Sequence, residues 1–196
     1  MSYPTIIFAT GNSHKVQEVK DLIGEDYNFK TLKDINWSTE IIEDGTSFHQ
    51  NALIKAKTIY DAGNPIVVSE DSGIAVEALE GKPGIFSARW AEMHDTTLDN
   101  NGLLLEQMHG KVDRSAHFIA VVCLIIKGEV HFFEGKWEGR LATAVDGTTG
   151  FGYDPIFIPN GYDKSTASLG QAVKQKESHR TKAFLQFKAY WESTFS

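Results

Sequence analysis

Thr5-Ile6-Ile7-Phe8-Ala9-Thr10-Gly11-Asn12-Ser13-His14-Lys15-Val16-Gln17-Glu18-Val19-Lys20-Asp21-Leu22-Ile23 opens on a short apolar, β-rich run that stops at Thr10-Gly11-Asn12-Ser13. Beyond the stop, Val16, Val19, Leu22 and Ile23 recur at helical spacing. The stretch predicts a buried strand, a tight turn and a helix in immediate succession, the unit from which α/β folds are built.

Outward from that unit, Ser47 and Gln50 have capping-box spacing, and Phe48, Ala52, Leu53, Ala56, Ile59 and Tyr60 line one helical face that Gly63 and Pro65 close. Ile66-Val67-Val68 reads as a strand running into Ser69-Glu70-Asp71-Ser72-Gly73, with Ile74-Ala75-Val76 turning back as another. A third helix is expected from Leu98 to Met108, closed by Gly110. Phe118 to Ile126 reads as a central strand with Val130-His131-Phe132-Phe133 as its hairpin partner. Ala183, Phe184, Phe187, Tyr190 and Trp191 form an amphipathic C-terminal helix beginning near Ser178. Helices and strands interleave without strict βαβ regularity, so the expected class is mixed α/β. No repeat or linker divides residues 1–196, so a single domain is expected.

Composition narrows the function classes. The chain is 41% hydrophobic and 23% charged over 196 residues, which excludes disorder and a disulfide scaffold. It carries 19 Lys and Arg against 26 Asp and Glu, a net charge of −7, so it has no global attraction for nucleic acid or anionic membranes. A bound polyanion would need a local nest of cations or a metal. The one cysteine, Cys123, lies in the apolar 118–126 run and reads as a buried filler. That run is far short of the roughly 20 residues of a membrane span. Met1-Ser2-Tyr3-Pro4 lacks the cationic and apolar regions of a secretory signal, and the expected compartment is the cytoplasm.

Four segments carry the residue types that chemistry needs. In Thr10-Gly11-Asn12-Ser13-His14-Lys15 a glycine at a strand-to-helix turn lets backbone amides approach an anion, Lys15 reaches the same place, and Glu18 lies one turn on to orient Lys15. The Walker A spacing is absent, and an ordinary turn with a surface lysine is the alternative. Glu40, Glu43, Asp44, Glu70 and Asp71 are carboxylates at strand ends and helix starts, suited to a hard cation such as Mg²⁺; helix capping by Asp44 and a β-turn at Asp71-Ser72-Gly73 are the alternatives. Gly150-Phe151-Gly152-Tyr153-Asp154-Pro155 flanks an aromatic ring with glycines, which leaves a face for a planar base or makes a tight hairpin around a core phenylalanine. Lys174-Gln175-Lys176-Glu177-Ser178-His179-Arg180 sets two cationic residues at a helix start, where an anionic or carbonyl ligand would explain them, or is a solvated basic patch. The remaining histidines have no zinc-site spacing.

Together these segments resemble the inosine triphosphate pyrophosphatase family. The matching pieces are Thr10-Gly11-Asn12-x-x-Lys15-x-x-Glu18, Glu43-x-Gly45-x-x-Phe48-x-x-Asn51-Ala52, Asp71-Ser72-Gly73, Pro83-Gly84-Ile85-x-Ser87-Ala88-Arg89, the 150–155 segment and Ser178-His179-Arg180. They run in order from residue 10 to residue 180. The resemblance implies an elongated mixed sheet flanked by helices, two lobes around an active-site cleft, and a homodimer. It also implies Mg²⁺-dependent (or Mn²⁺-dependent) hydrolysis of ITP, dITP and XTP to the monophosphate and pyrophosphate, with no nucleic acid or membrane partner.

Carried over by position, Asp71 is the catalytic acid/base and Glu43 and Asp71 hold metal. Thr10, Gly11, Asn12, Ser13, His14 and Lys15 bind the triphosphate, with Asn51, Ser72 and Lys174 near the phosphates. Phe151 stacks on the base, Gly152, Tyr153 and Asp154 line its pocket, and His179 and Arg180 read its edge. Many relatives have Asp-Asp where this chain has Glu70-Asp71. Physical chemistry agrees with the assignment: an acidic protein needs cations to hold a triphosphate, and donors at a 6-oxo edge reject a 6-amino purine. A pyrophosphatase for another nucleotide, or a regulatory module without catalysis, are the other readings.

Overall fold

The computed structural model describes residues 3–24 and 27–195. A six-stranded sheet has the order β2-β1-β3-β4-β5-β6, formed by β1 (Ile6–Phe8), β2 (Phe29–Thr31), β3 (Ile66–Val76), β4 (Ser115–Ile126), β5 (Glu129–Leu141) and β6 (Phe157–Pro159). β1 runs parallel to both β2 and β3, while β5 and β6 are antiparallel, so the sheet is mixed as expected. The helices are α1 (Ser13–Ile23), α2 (Phe48–Asp61), α3 (Asn100–Gln107), α4 (Thr166–Leu169), α5 (Gln171–Glu177) and α6 (His179–Phe195).

The chain divides into two compact units, and β3, β4 and β5 each contribute residues to both. The first comprises 1–71, 120–135 and 180–196; the second comprises 72–119 and 136–179. Each has its own apolar core.

In the first unit, Ile6 and Phe8 of β1, Val68 of β3 and Ala120, Val122, Leu124 and Ile126 of β4 pack with Val19 and Ile23 of α1 and Ala183, Phe184, Phe187 and Trp191 of α6. Alternate residues of one strand point to opposite faces, so this set defines the sheet face that α1 and α6 cover. The intervening residues Ile7, Val67, Val121, Cys123 and Ile125 are buried too. Ser69, in step with Val67, donates from Oγ to Ala52 O and so faces α2. A strand covered on both faces reads as a continuous apolar run, which is why the 118–126 stretch shows no alternation.

The second unit packs Ile74 and Val76 of β3, Phe118 of β4, Trp137 and Leu141 of β5 and Phe157 of β6 against Leu104 and Met108. Lys127 (φ 53°) and Gly128 (φ 81°) make the two-residue turn between β4 and β5, with positive φ at both positions as the primed hairpin turns require.

The expected cap at Ser47 forms, and Asn12 and Asp99 cap α1 and α3. Asn12 accepts from the amides of His14 and Lys15, Ser47 from that of Gln50, and Asp99 from that of Gly102. The Gln50 side chain turns back to Thr46, not to the Ser47 amide.

One expectation is corrected. Residues 66–76 form a single strand, not two strands joined at Ser69–Gly73, and there is no β-turn at Asp71-Ser72-Gly73. Glu70 and Asp71 are 1% and 8% exposed, and their charges are met inside the first unit by basic side chains, so the polar stretch stays in the sheet. No helix among the described residues is long and apolar enough to cross a membrane.

Two measurements check this packing. A Cβ at Gly139 would come within 2.7 Å of the Phe157 ring, so Gly139→Ala should lower stability by about 1–3 kcal/mol in urea unfolding. Burial pushes the Cys123 thiol up to about 12, so alkylation at pH 8 should be negligible in the folded protein and rapid in denaturant.

Candidate active site

In the first unit the predicted phosphate loop is tied up by its own cap. Thr10 Oγ1 accepts from the Asn12 amide at 3.2 Å, and Asn12 Oδ1 accepts from His14 N (3.0 Å) and Lys15 N (3.3 Å). These three amides are therefore engaged at the start of α1. Ser13 and His14 are exposed, and a Cβ added at Gly11 would meet nothing within 4 Å. Lys15 forms its ion pair with Glu70, at 3.7 Å, whereas Glu18 accepts from Arg180 Nη1; the expectation that Glu18 orients Lys15 is replaced by this exchange of partners. Burial lowers the Lys15 ammonium pKa, with Glu70 opposing the shift.

Strand alternation explains the acidic pair. Glu70 follows Val68 onto the α1/α6 face, and Asp71 follows Val67 and Ser69 onto the α2 face. There Lys55 Nζ donates to Asp71 Oδ1 at 3.2 Å and pairs closely with Glu43. Glu43 and Asp71, the expected metal carboxylates, thus converge on one ammonium. Asn51 Oδ1 accepts from Gly45 N at 2.9 Å, which fixes the segment just after Glu43 to α2. A Cβ at Gly45 would lie 2.6 Å from that oxygen, so glycine is required there.

Asp71 Oδ2 is buried and has no hydrogen-bond partner among the described residues. Burial raises the Asp71 carboxyl pKa; Lys55 and Lys15 pull it down, and Glu43 pushes it further up. A partnerless buried carboxylate oxygen beside a second carboxylate is the donor set a hard cation takes, completing its shell with phosphate oxygens and water. No group of three or more His, Cys, Asp or Glu among the described residues could hold a metal by itself.

Arg180, the first-unit residue following His179, is 2% exposed. It donates side-on to Glu70, from Nε at 2.9 Å and from Nη2 at 3.0 Å. Burial works against its charge, but Glu70 and Glu18 more than offset that and hold it protonated. Glu70 and Glu18 thus meet the cation at the α6 start from within the first unit.

In the second unit Lys174 pairs with Asp154 at 2.7 Å, and its Nζ lies 4.2 Å from the centre of the Phe151 ring. Asp154 Oδ2 also accepts from Phe151 N at 2.9 Å. Within the second unit Lys174 is thus joined to the aromatic segment. Gly150 has φ +81°, and a Cβ there would run into the Asp154 side chain, whereas one at Gly152 would meet nothing within 4 Å. Buried Tyr153 donates from its phenol to Ser87 O at 2.9 Å, and Ser87 Oγ accepts from Ile74 N at 2.9 Å. His179 stacks on Phe118 with centroids 4.7 Å apart and planes 11° from parallel. Ser72 is half-buried on β3. Asp71 is bonded to Ser72 and His179 to Arg180, so the boundary between the units twice falls between consecutive candidate residues.

The Ham1 family profile matches residues 6–190. The chain belongs to the Ham1 family. Within the family it is 43% identical over 183 residues to a dITP/XTP pyrophosphatase of Leifsonia xyli subsp. xyli, covering 91% of each chain. It is 38% identical over 185 residues to one from Christiangramia forsetii, covering 94% of this chain and 97% of the relative. The solved Ham1 protein of Staphylococcus aureus has 34% identity and a TM-score of 0.87, covering 97% of this chain and all of that one.

Lys55 escaped the sequence reading of this Ham1 chain, although a signal was present. Buried residues of α2 are Asn51, Ala52, Lys55, Ala56 and Ile59, so a lysine stands on the apolar stripe. In the metal-free protein, Lys55→Met should raise the Asp71 pKa further, because the nearest cation is gone; a ¹³C carboxyl titration reads the shift. An unchanged Asp71 titration would show that Lys55 exerts no control.

Proposed function

We propose that this chain hydrolyses deaminated purine nucleoside triphosphates, ITP, dITP and XTP, to the monophosphate and pyrophosphate. The observation that carries the mechanism is the Asp71 carboxylate: buried, with one oxygen held by Lys55 and the other without a partner. The names of the relatives supply the substrate class.

Asp71 and Glu43 are the residues that would hold Mg²⁺. When bound there, the ion would neutralise phosphate charge and lower the pKa of a coordinated water. Lys15 and Lys55 meet the phosphate oxygens, which relieves the repulsion between a polyanion and an acidic chain. Asp71 accepts the proton of the attacking water. The water oxygen bonds to the α-phosphorus, the bond from that phosphorus to the α–β bridging oxygen breaks, and pyrophosphate leaves with the electron pair. Phe151 stacks on the base, with Lys174 and Asp154 beside it. His179 and Arg180 donate to the 6-oxo edge that adenine lacks. The reading places the enzyme in the cytoplasm as a homodimer.

With ITP and Mg²⁺ the expected products are IMP and pyrophosphate, with far slower turnover of ATP and GTP and none without the metal. Orthophosphate and IDP would move the cleavage site and discard the mechanism. Asp71→Asn should reduce kcat by about 10²–10⁴-fold while the protein stays folded by circular dichroism. Phe151→Ala should raise KM roughly 5- to 150-fold, the equivalent of about 1–3 kcal/mol of stacking. Sedimentation equilibrium checks the dimer.

A further inference from the structure

Two consecutive buried carboxylates on β3 point to opposite faces of the sheet, and only one of them joins Glu43. Asp71 faces α2 and shares Lys55 with Glu43. Glu70 faces α1 and α6, where both of its oxygens are engaged: Oε2 by Arg180 Nε at 2.9 Å, and Oε1 by Arg180 Nη2 at 3.0 Å, with Lys15 Nζ 3.7 Å away. Arg180 makes its further contact with Glu18, one helical turn beyond Lys15 on α1.

The side chains of Glu70 and Arg180 are 0% and 3% exposed, so water does not compete for the pair. A side-on guanidinium–carboxylate pair fixes the plane of the guanidinium as well as its distance. The same carboxylate is the principal attraction holding the Lys15 ammonium charged against its burial.

We propose that Glu70 is a positioning residue for specificity: one carboxylate orients the guanidinium that selects the base and holds the ammonium that meets the phosphates. Glu70 takes no part in metal binding. The inference rests on the functional reading above, which gives Arg180 the base edge and Lys15 the phosphates. It assigns the residue preceding Asp71 a task on the opposite sheet face.

The test compares wild type, Glu70→Gln, Arg180→Lys and the double variant. In Glu70→Gln the ratio of kcat/KM for ITP over ATP should fall at least tenfold. Its affinity for inorganic tripolyphosphate, measured calorimetrically in EDTA, should fall at least threefold. The Mg²⁺ concentration for half-maximal activity should stay within twofold of wild type, whereas Glu43→Gln should raise it. In the Arg180→Lys background, Glu70→Gln should change the ITP/ATP ratio no further.

A merely structural Glu70 would lower the melting temperature and leave the ratio unmoved, and that result overturns the proposal. A raised Mg²⁺ requirement in Glu70→Gln, or ratio losses that add fully in the double variant, also overturns it. If Glu70→Gln does not fold, Glu70→Met, of similar length without the carboxylate, carries the same test; an unchanged ITP/ATP ratio overturns the proposal. A wild type without preference for ITP refutes the functional reading itself and the proposal with it. A wild-type preference that survives in the variant removes the proposal alone.

Discussion

Two adjacent carboxylates buried in the middle of a strand impose a constraint that the rest of the first unit answers. Leaving an ionised carboxylate unpaired in a protein interior costs several kcal/mol, and consecutive strand residues face opposite ways, so their direct ion-pair partners differ. Cations must therefore come from both sides of the sheet: Lys55 from α2 on one face, Arg180 and Lys15 from α6 and α1 on the other. The helices that cover the sheet also bring its charge partners. That ties residues 15, 55 and 180 to a single strand, although they lie far apart in the chain.

The same alternation divides labour. On the α2 face an acid group keeps an oxygen without a partner, next to a second carboxylate held by the same lysine. Such a group is destabilising for the fold and useful to a ligand, which is why partnerless buried atoms point to function. On the other face every oxygen of Glu70 is engaged, and the arrangement reads as a rigid bracket. In the second unit the logic is milder. A lysine lies over a phenylalanine ring and is neutralised by an aspartate that also fixes the ring's backbone.

Local patterns in the chain anticipated most of the elements. The period switch at Thr10, the cap at Ser47 and the uninterrupted 118–126 run each depend on near neighbours, and each formed. Failures came where partners are distant. Ser69-Glu70-Asp71-Ser72-Gly73 has turn composition, and it remains strand with its two charges met by Lys15, Lys55 and, from 110 residues away, Arg180. Glu18 is one turn from Lys15, and helical spacing suggested their pairing. Arg180, from 162 residues away, takes Glu18 and leaves Lys15 to Glu70. The pairing of Lys174 with Asp154, 20 residues before it, and its place over the Phe151 ring are likewise invisible to local periodicity. Lys55 was overlooked as one lysine among many, although its position on the buried stripe of α2 set it apart. Charge pairing over long sequence separations is what local periodicity does not encode.

The basic side chains at the candidate site are matched by the protein's own carboxylates, within a chain whose net charge is −7. A nucleoside triphosphate approaching from solution therefore meets a repulsive field at long range, and finds cations only within contact distance. Encounter should be slowed by this envelope and speeded by added salt, the reverse of the steering seen in basic nucleotide-binding proteins. Capture then depends on short-range exchange, in which phosphate oxygens take over partners that carboxylates already hold. The fold holds its basic side chains in place before substrate arrives, at the expense of a slower approach.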